Sequence, residues 1–295
     1  MSTYLYGIPP LQQRESLYSW LQRLAQSQAM SYKQITELFE LNHIKDMDAP
    51  ALPIQRNTFS KISNLNDAWF QGLFAINKSI RKFKSVKKQL RINNEKKPIT
   101  SICSECLKND SFPYFRIEWR FQFWKICPYH AIELNTTCPH CNNDITLSDS
   151  LLAGLNSVPN FRYCQSCLLE FSKKKSNEEI LPTLQDQIQI QKNMMASIII
   201  GSCQIAPLNK RFGLHIMFRL YELGILHSAA NADFQSPFSS GQRHALINFI
   251  TNLNKRMQAR DRLHDRAKKW RPNNRRTHIP DYERVALYAK MSKIS

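Results

Sequence analysis

Four short pairs of metal-ligating residues constrain this chain more than anything else in it. Cys103-x2-Cys106-x20-Cys127-x2-His130 is followed by Cys138-x2-Cys141-x22-Cys164-x2-Cys167. A CxxC or CxxH knuckle lets two ligands point at one ion while backbone amides stabilise the thiolate charge. Two such knuckles complete a tetrahedron with no open position, the closed N/S set that structural zinc takes. The array therefore predicts two structural zinc ions, Zn2+, held by Cys103, Cys106, Cys127, His130, Cys138, Cys141, Cys164 and Cys167. Sequential pairing is the simpler arrangement, and interleaving of the first and third knuckles is the other. His140, inside Cys138-Pro139-His140-Cys141, is expected to point outwards. Cys203 lies in an apolar stretch and reads as a buried thiol. Trp119 and Trp124 could stack on bases, but zinc modules have small cores and aromatic filler is the better reading.

The rest of the chain reads as helical. Only 7 glycines occur among 295 residues, and long segments carry apolar residues at helical spacing. No stretch approaches the roughly 18 apolar residues of a membrane span. The N-terminus lacks the basic-then-apolar pattern of a secretory signal, so the cytoplasm is the expected compartment. There, cysteines serve as metal ligands or buried thiols more often than as disulfides.

Charge is concentrated. The net charge is +18, yet residues 78–97 hold nine Lys/Arg against one acid and residues 255–295 hold thirteen against four, leaving the remainder near neutral. Two solvated helix faces would be the bland explanation, but the clustering favours a polyanion partner. The candidate nucleic-acid contacts are Lys78, Arg81, Lys82, Lys84, Lys87, Lys88 and Arg91 in the first segment. In the second they are Arg266, Lys268, Lys269, Arg271, Arg275 and Arg276.

Four regions follow. Residues 1–50 carry Leu17, Trp20, Leu21, Leu24 and Ala25 at helical spacing. A break follows near Ser27–Met30, then a Ser31-x-x-Gln34 capping box opens a helix with Ile35, Leu38 and Phe39. The pair has the shape of a helix-turn-helix. Residues 51–97 form a Pro-bearing linker and a basic helix capped by Asn66, its apolar stripe running through Trp69, Leu73, Ile76, Ile80 and Phe83. Residues 98–176 form the double zinc-finger core, with β-like aromatic stretches such as Tyr114–Trp119. Residues 177–295 return to helices near 183–200, 209–226 and 240–268. The last carries Leu246, Phe249, Ile250, Leu253 and Met257 and leads into a basic arm around Trp270–Arg276. The expected fold class is thus mainly α with a small zinc-stabilised α+β module.

Catalytic signatures are missing. The chain has no GxxxxGK[ST] phosphate loop, HExxH or GxSxG, and no carboxylate cluster for a two-metal nuclease. A closed four-ligand zinc cannot activate water. The chain is expected not to be an enzyme.

Particular residues now carry a family likeness. Ile102-Cys103-Ser104-Glu105-Cys106, Arg116-Ile117-Glu118-Trp119, Trp124-Lys125-Ile126-Cys127-Pro128-Tyr129-His130 and Leu134-Asn135-Thr136-Thr137-Cys138-Pro139-His140-Cys141 resemble the zinc-finger core of the TniQ/TnsD family. The opening Pro10-Leu11-Gln12-Gln13-Arg14-Glu15-Ser16-Leu17-Tyr18-Ser19-Trp20-Leu21-Gln22-Arg23-Leu24-Ala25 is similar to that family's N-terminal helix-turn-helix, although Arg14 stands where a glycine is expected. The likeness covers roughly residues 9–172. It implies a target-site selection adaptor for DNA transposition. Such a protein connects a target-DNA recogniser to an AAA+ ATPase regulator, which in turn recruits the transposase. Some members read DNA themselves; others sit beside an RNA-guided CRISPR effector. The alternative is a sequence-specific, zinc-containing transcription regulator with no role in transposition.

Overall fold

A computed structural model describes residues 5–50, 59, 70–147, 161–171, 183–205 and 210–222. In a C-terminal helical stretch it also describes 248–252, 255, 256, 259 and 262. The chain divides into two compact units, residues 1–243 and 244–295.

The first unit begins with α1, Leu17–Ser27, capped by Ser16, whose hydroxyl accepts the Ser19 N–H at 3.1 Å. Residues 17–25 are all buried, Arg23 included. That is tolerable because Glu15 takes Arg23 in two bonds of 2.8 and 2.7 Å and Pro10 O accepts a third at 2.6 Å. A buried guanidinium needs such complete pairing. The expected capping box is formed at α2, Tyr32–Leu38: Gln34 N–H donates to the Ser31 hydroxyl and Ser31 N–H to the Gln34 side chain. Between the helices Ala29 adopts φ +51°. Trp20, Phe39, Phe59, Phe70 and Phe74 stack into one aromatic core, with ring centroids 4.8–6.0 Å apart.

The single basic helix expected through Phe83 is two helices. α3, Gln71–Lys82, buries Leu73, Phe74, Ile76 and Ile80. Phe83 then turns extended (φ −115°, ψ 111°), and α4, Lys84–Lys87, restarts and buries Val86. One straight helix cannot bring both Ile80 and Val86 inward, since six residues at 100° each point 120° apart from the start. The break at Phe83 reorients the second turn. Asn66 and Trp69 lie outside the described residues.

The cysteine-rich region contributes α5, Ser104–Asn109, and a 3-10 turn, Ile117–Arg120, in place of the expected β-like stretch. All four residues of that turn are buried. Its polar members, Glu118 and Arg120, meet Arg14 and Asp46 rather than water, so strand-like alternation with a wet face has no place there.

Beyond it lies α6, Thr183–Ile200, much as expected. The helix expected near 209–226 starts later. Gly201, at φ +82°, ends α6, and a hairpin of β1, Cys203–Ile205, and β2, Lys210–Phe212, intervenes with Cys203 opposite Phe212. Then comes α7, Leu214–Glu222. α6 packs on α3 and α7 on α4. Ser79 of α3 donates to Ile198 O at 2.5 Å, and the Phe123 and Phe218 rings lie 6.0 Å apart. Cys203 is buried, its thiol pushed up to about 11 by burial.

In the second unit the described residues are helical, with Ile250 buried and Phe249 exposed. Leu246, Leu253, Met257 and the whole basic arm lie outside the described residues. No helix among the described residues is long and apolar enough to cross a membrane.

Candidate metal centres and cationic ridge

Two groups of four ligand atoms form, each with all members within 4.8 Å of one another: Cys103, Cys106, Cys127 and His130, and Cys138, Cys141, Cys164 and Cys167. The knuckles therefore combine in sequence order. Three of the four share one hairpin geometry. The residue before the first ligand bridges the residue three past the second: Ile126 with Glu133, Thr137 with Asp144, Tyr163 with Glu170. The residue just after the second ligand returns its N–H to the first ligand's carbonyl. This occurs at Ala131, Asn142 and Leu168, with distances of 2.8, 2.9 and 2.9 Å. It does so in the left-handed region, at φ +50°, +57° and +61°. The remaining knuckle is different. Cys103 is the N-cap of α5 and takes the Cys106 N–H on its sulfur at 3.4 Å. Similar amide-to-sulfur contacts of 3.4 Å run from His140 to Cys138 and from Ser166 to Cys164.

The spacing fits a metal ion. A tetrahedron with metal–sulfur bonds of about 2.3 Å has edges of about 3.8 Å, whereas a disulfide would need about 2.05 Å. The sulfurs of Cys106 and Cys127 are 3.5 Å apart; those of Cys138 and Cys167, and of Cys141 and Cys164, are 3.7 Å apart. All eight cysteines are free thiols. His130 presents Nδ1 to the sulfurs of Cys106, Cys103 and Cys127 at 3.3, 3.5 and 3.6 Å, and Nε2 meets the Asn109 side-chain amide at 3.4 Å. That is the arrangement of a ligating imidazole held from behind. His140 is exposed, and its Nε2 lies 2.9 Å from Glu170 O, tying the third knuckle to the fourth. Trp119 and Trp124 are buried and so act as core.

The first centre is built into the N-terminal helix pair. Glu15 bridges Arg116, Ser16 N–H donates to Phe115 O at 2.9 Å, and Ile117 N–H donates to Arg14 O at 2.8 Å. Arg14 has φ +58°, which explains why a glycine is expected at that position. Its side chain pairs at 2.7 Å with Glu118, whose carboxyl is pushed up by burial. Arg120 reaches Asp46 at 2.6 Å and Asp48 at 3.4 Å. Arg162, from the fourth knuckle, donates to Leu107 O at 2.8 Å and to Lys108 O and Asp110 O at 3.2 Å. The sequence does not announce these ties, although Arg120 between Trp119 and Phe121 is a visible sign of a buried cation.

The first basic segment divides by exposure. Lys78 and Lys82 on α3, Lys84 and Lys87 on α4, and Lys88 are exposed, and no carboxylate pairs with any of the five among the described residues. Arg81 and Arg91 are half-buried. Arg91 points to Gln122 O and Trp124 O at 3.4 Å, and burial lowers its pKa. Arg266, Lys268, Lys269, Arg271, Arg275 and Arg276 lie outside the described residues.

A helix pair fused to two four-ligand clusters, each able to hold a metal ion, defines the class of metal-knuckle proteins. Residues 7–134 match the TniQ family model, so this segment is similar to the TniQ domain. The TniQ match supports a role associated with transposition. The matched segment contains the first metal centre; the second, and the helices after it, follow the match. No curated protein matches the chain.

Proposed function

We propose that this protein is a target-site selection adaptor for DNA transposition, joining a target-DNA recogniser to an AAA+ ATPase regulator that recruits the transposase. The observation that carries the reading is the TniQ segment at residues 7–134, folded around a closed centre of three cysteines and one histidine. Both centres are assigned to zinc, because soft thiolates with or without one imidazole in a tetrahedral cage select it. Zinc here supplies a fold-organising cation and no open coordination position. The chain works by binding, and ATP use and strand transfer belong to its partners.

The exposed lysines of α3 and α4 are assigned to the phosphate backbone. Each lysine is a flexible point charge suited to phosphate, and phosphate contacts position nucleic acid without carrying sequence information. The basic arm of residues 266–276 is assigned the same role. The cytoplasm, where transposition occurs, is the compartment proposed. Target recognition resides in this chain or in a guide-RNA effector beside it. Co-sedimentation of the purified chain with the ATPase on target DNA tests the reading. A DNA-dependent complex supports the adaptor; tight binding to one DNA site with no ATPase association supports the transcription regulator instead.

A further inference from the structure

The edge of the first metal centre is closed by a residue far outside the matched segment. In the hairpin that carries Cys127 and His130, Leu134 N–H donates to Lys125 O at 2.8 Å and Cys127 N–H to Ile132 O at 2.8 Å. By the alternation of an antiparallel pair, the N–H and C=O of Ile126 must then point away from that partner. They meet the carboxamide of Gln191 on α6. Gln191 Oε1 accepts the Lys125 and Ile126 N–H groups, both at 3.2 Å, and Gln191 Nε2 donates to Ile126 O at 2.5 Å. Gln191 and Ile126 are 3% and 4% exposed, so water cannot take over these bonds. The side chain thus stands in for a neighbouring strand, directly before the first ligand of the knuckle.

We infer that Gln191 is a positioning residue of the first metal centre, and that ion occupancy there is coupled to docking of the C-terminal helices α6 and α7. An ion fixes the hairpin geometry that Gln191 recognises, and Gln191 fixes the backbone that aims Cys127. Such coupling is reciprocal: loss of either weakens the other. In the second centre His140 ties one knuckle to the other, and Arg162 joins that centre to the backbone of α5 rather than to the hairpin that Gln191 holds.

The inference rests on occupancy of both centres by zinc, which elemental analysis of the purified chain tests separately. The experiment follows zinc release from the full chain to a chromogenic chelator, comparing the parent with Gln191→Leu and Gln191→Glu. Two equivalents leave the parent. In Gln191→Leu, one equivalent is expected to leave on the order of tenfold faster, the usual scale for lost outer-shell support, and the other at the parental rate. Cobalt(II) substitution identifies the faster one, because a site of three thiolates and one imidazole absorbs differently from a site of four thiolates. Acceleration of both equivalents together would mean general destabilisation and would overturn the inference, as would parental release of both. Should the variants fail to fold, hydrogen exchange on the parent decides. Chelation of one zinc from the first centre should expose the amides of residues 183–200; undiminished protection there contradicts the coupling.

Discussion

At the scale of single residues, buried charge decides the most. Asp48 is fully buried and accepts the Tyr18 N–H at 3.1 Å at the start of α1. Burial raises its pKa from 3.8 to about 6, with Arg120 opposing and Asp46 adding to the rise. The folded chain therefore holds a proton that the unfolded chain releases near pH 4. Stability falls as pH climbs from about 4 to 6, and the penalty is complete above pH 6. Two pKa units correspond to about 3 kcal/mol as an upper scale. Urea unfolding of Asp48→Asn and the parent from pH 4 to 7 should show the variant's stability rising relative to the parent by about 2 kcal/mol across that window. A constant difference would place the charge penalty elsewhere. Ala29 offers a change of the opposite kind. It is exposed and left-handed at φ +51°, a conformation costing an L-residue roughly 1–2 kcal/mol. Glycine's larger unfolded-state entropy offsets part of that. Ala29→Gly should raise stability by about 0.5–1 kcal/mol, visible as a higher Tm.

At the scale of elements, features with short-range causes are legible in the sequence and those made by distant partners are not. The metal ligands repeat at CxxC and CxxH spacing, and Ser31 and Gln34 announce their own capping box. α1 and α6 follow from apolar periodicity. The break at Phe83 follows instead from the need to bury both Ile80 and Val86 against α6 and α7. The 3-10 turn at Ile117–Arg120 is imposed by Arg14 and Asp46, both more than seventy residues away in sequence. The Cys203–Phe212 hairpin takes the place of the expected start of α7, in residues that carry no strong alternation. Gln191 is, in the sequence, one polar residue among several on α6; only the fold shows that it faces Ile126. Charge density marks α3 and α4 but does not separate the exposed lysines from Arg91, which is turned to carbonyl groups. That separation is testable. Replacing Lys78, Lys82, Lys84, Lys87 and Lys88 by Gln should leave the Tm nearly unchanged and reduce the log–log salt slope of duplex binding by roughly 0.9 per lost phosphate contact. Anisotropy titrations over a salt series measure this; an unchanged slope would make the ridge a solubility feature.

At the scale of the whole molecule, the first compact unit is held by two metal centres and by ion pairs that reach from the N-terminal helices into the cysteine-rich region. Structural zinc binding is worth on the order of 10 kcal/mol and is inseparable from folding. Cys127→Ser, inside the interlocked region, should therefore give insoluble or unfolded protein. Cys141→Ser should release one zinc and unfold the second centre locally, as limited proteolysis would show. What the first unit offers is a lysine ridge and a helix pair, with no open metal position among the described centres. Those are the requirements of a recruiter. The most direct test is a transposition reaction reconstituted from purified target recogniser, ATPase, transposase and this chain. Omitting the chain should abolish insertion at the target site while the ATPase still hydrolyses ATP and the transposase still cuts donor ends. Insertion at the same site and frequency without it would contradict the recruiter account.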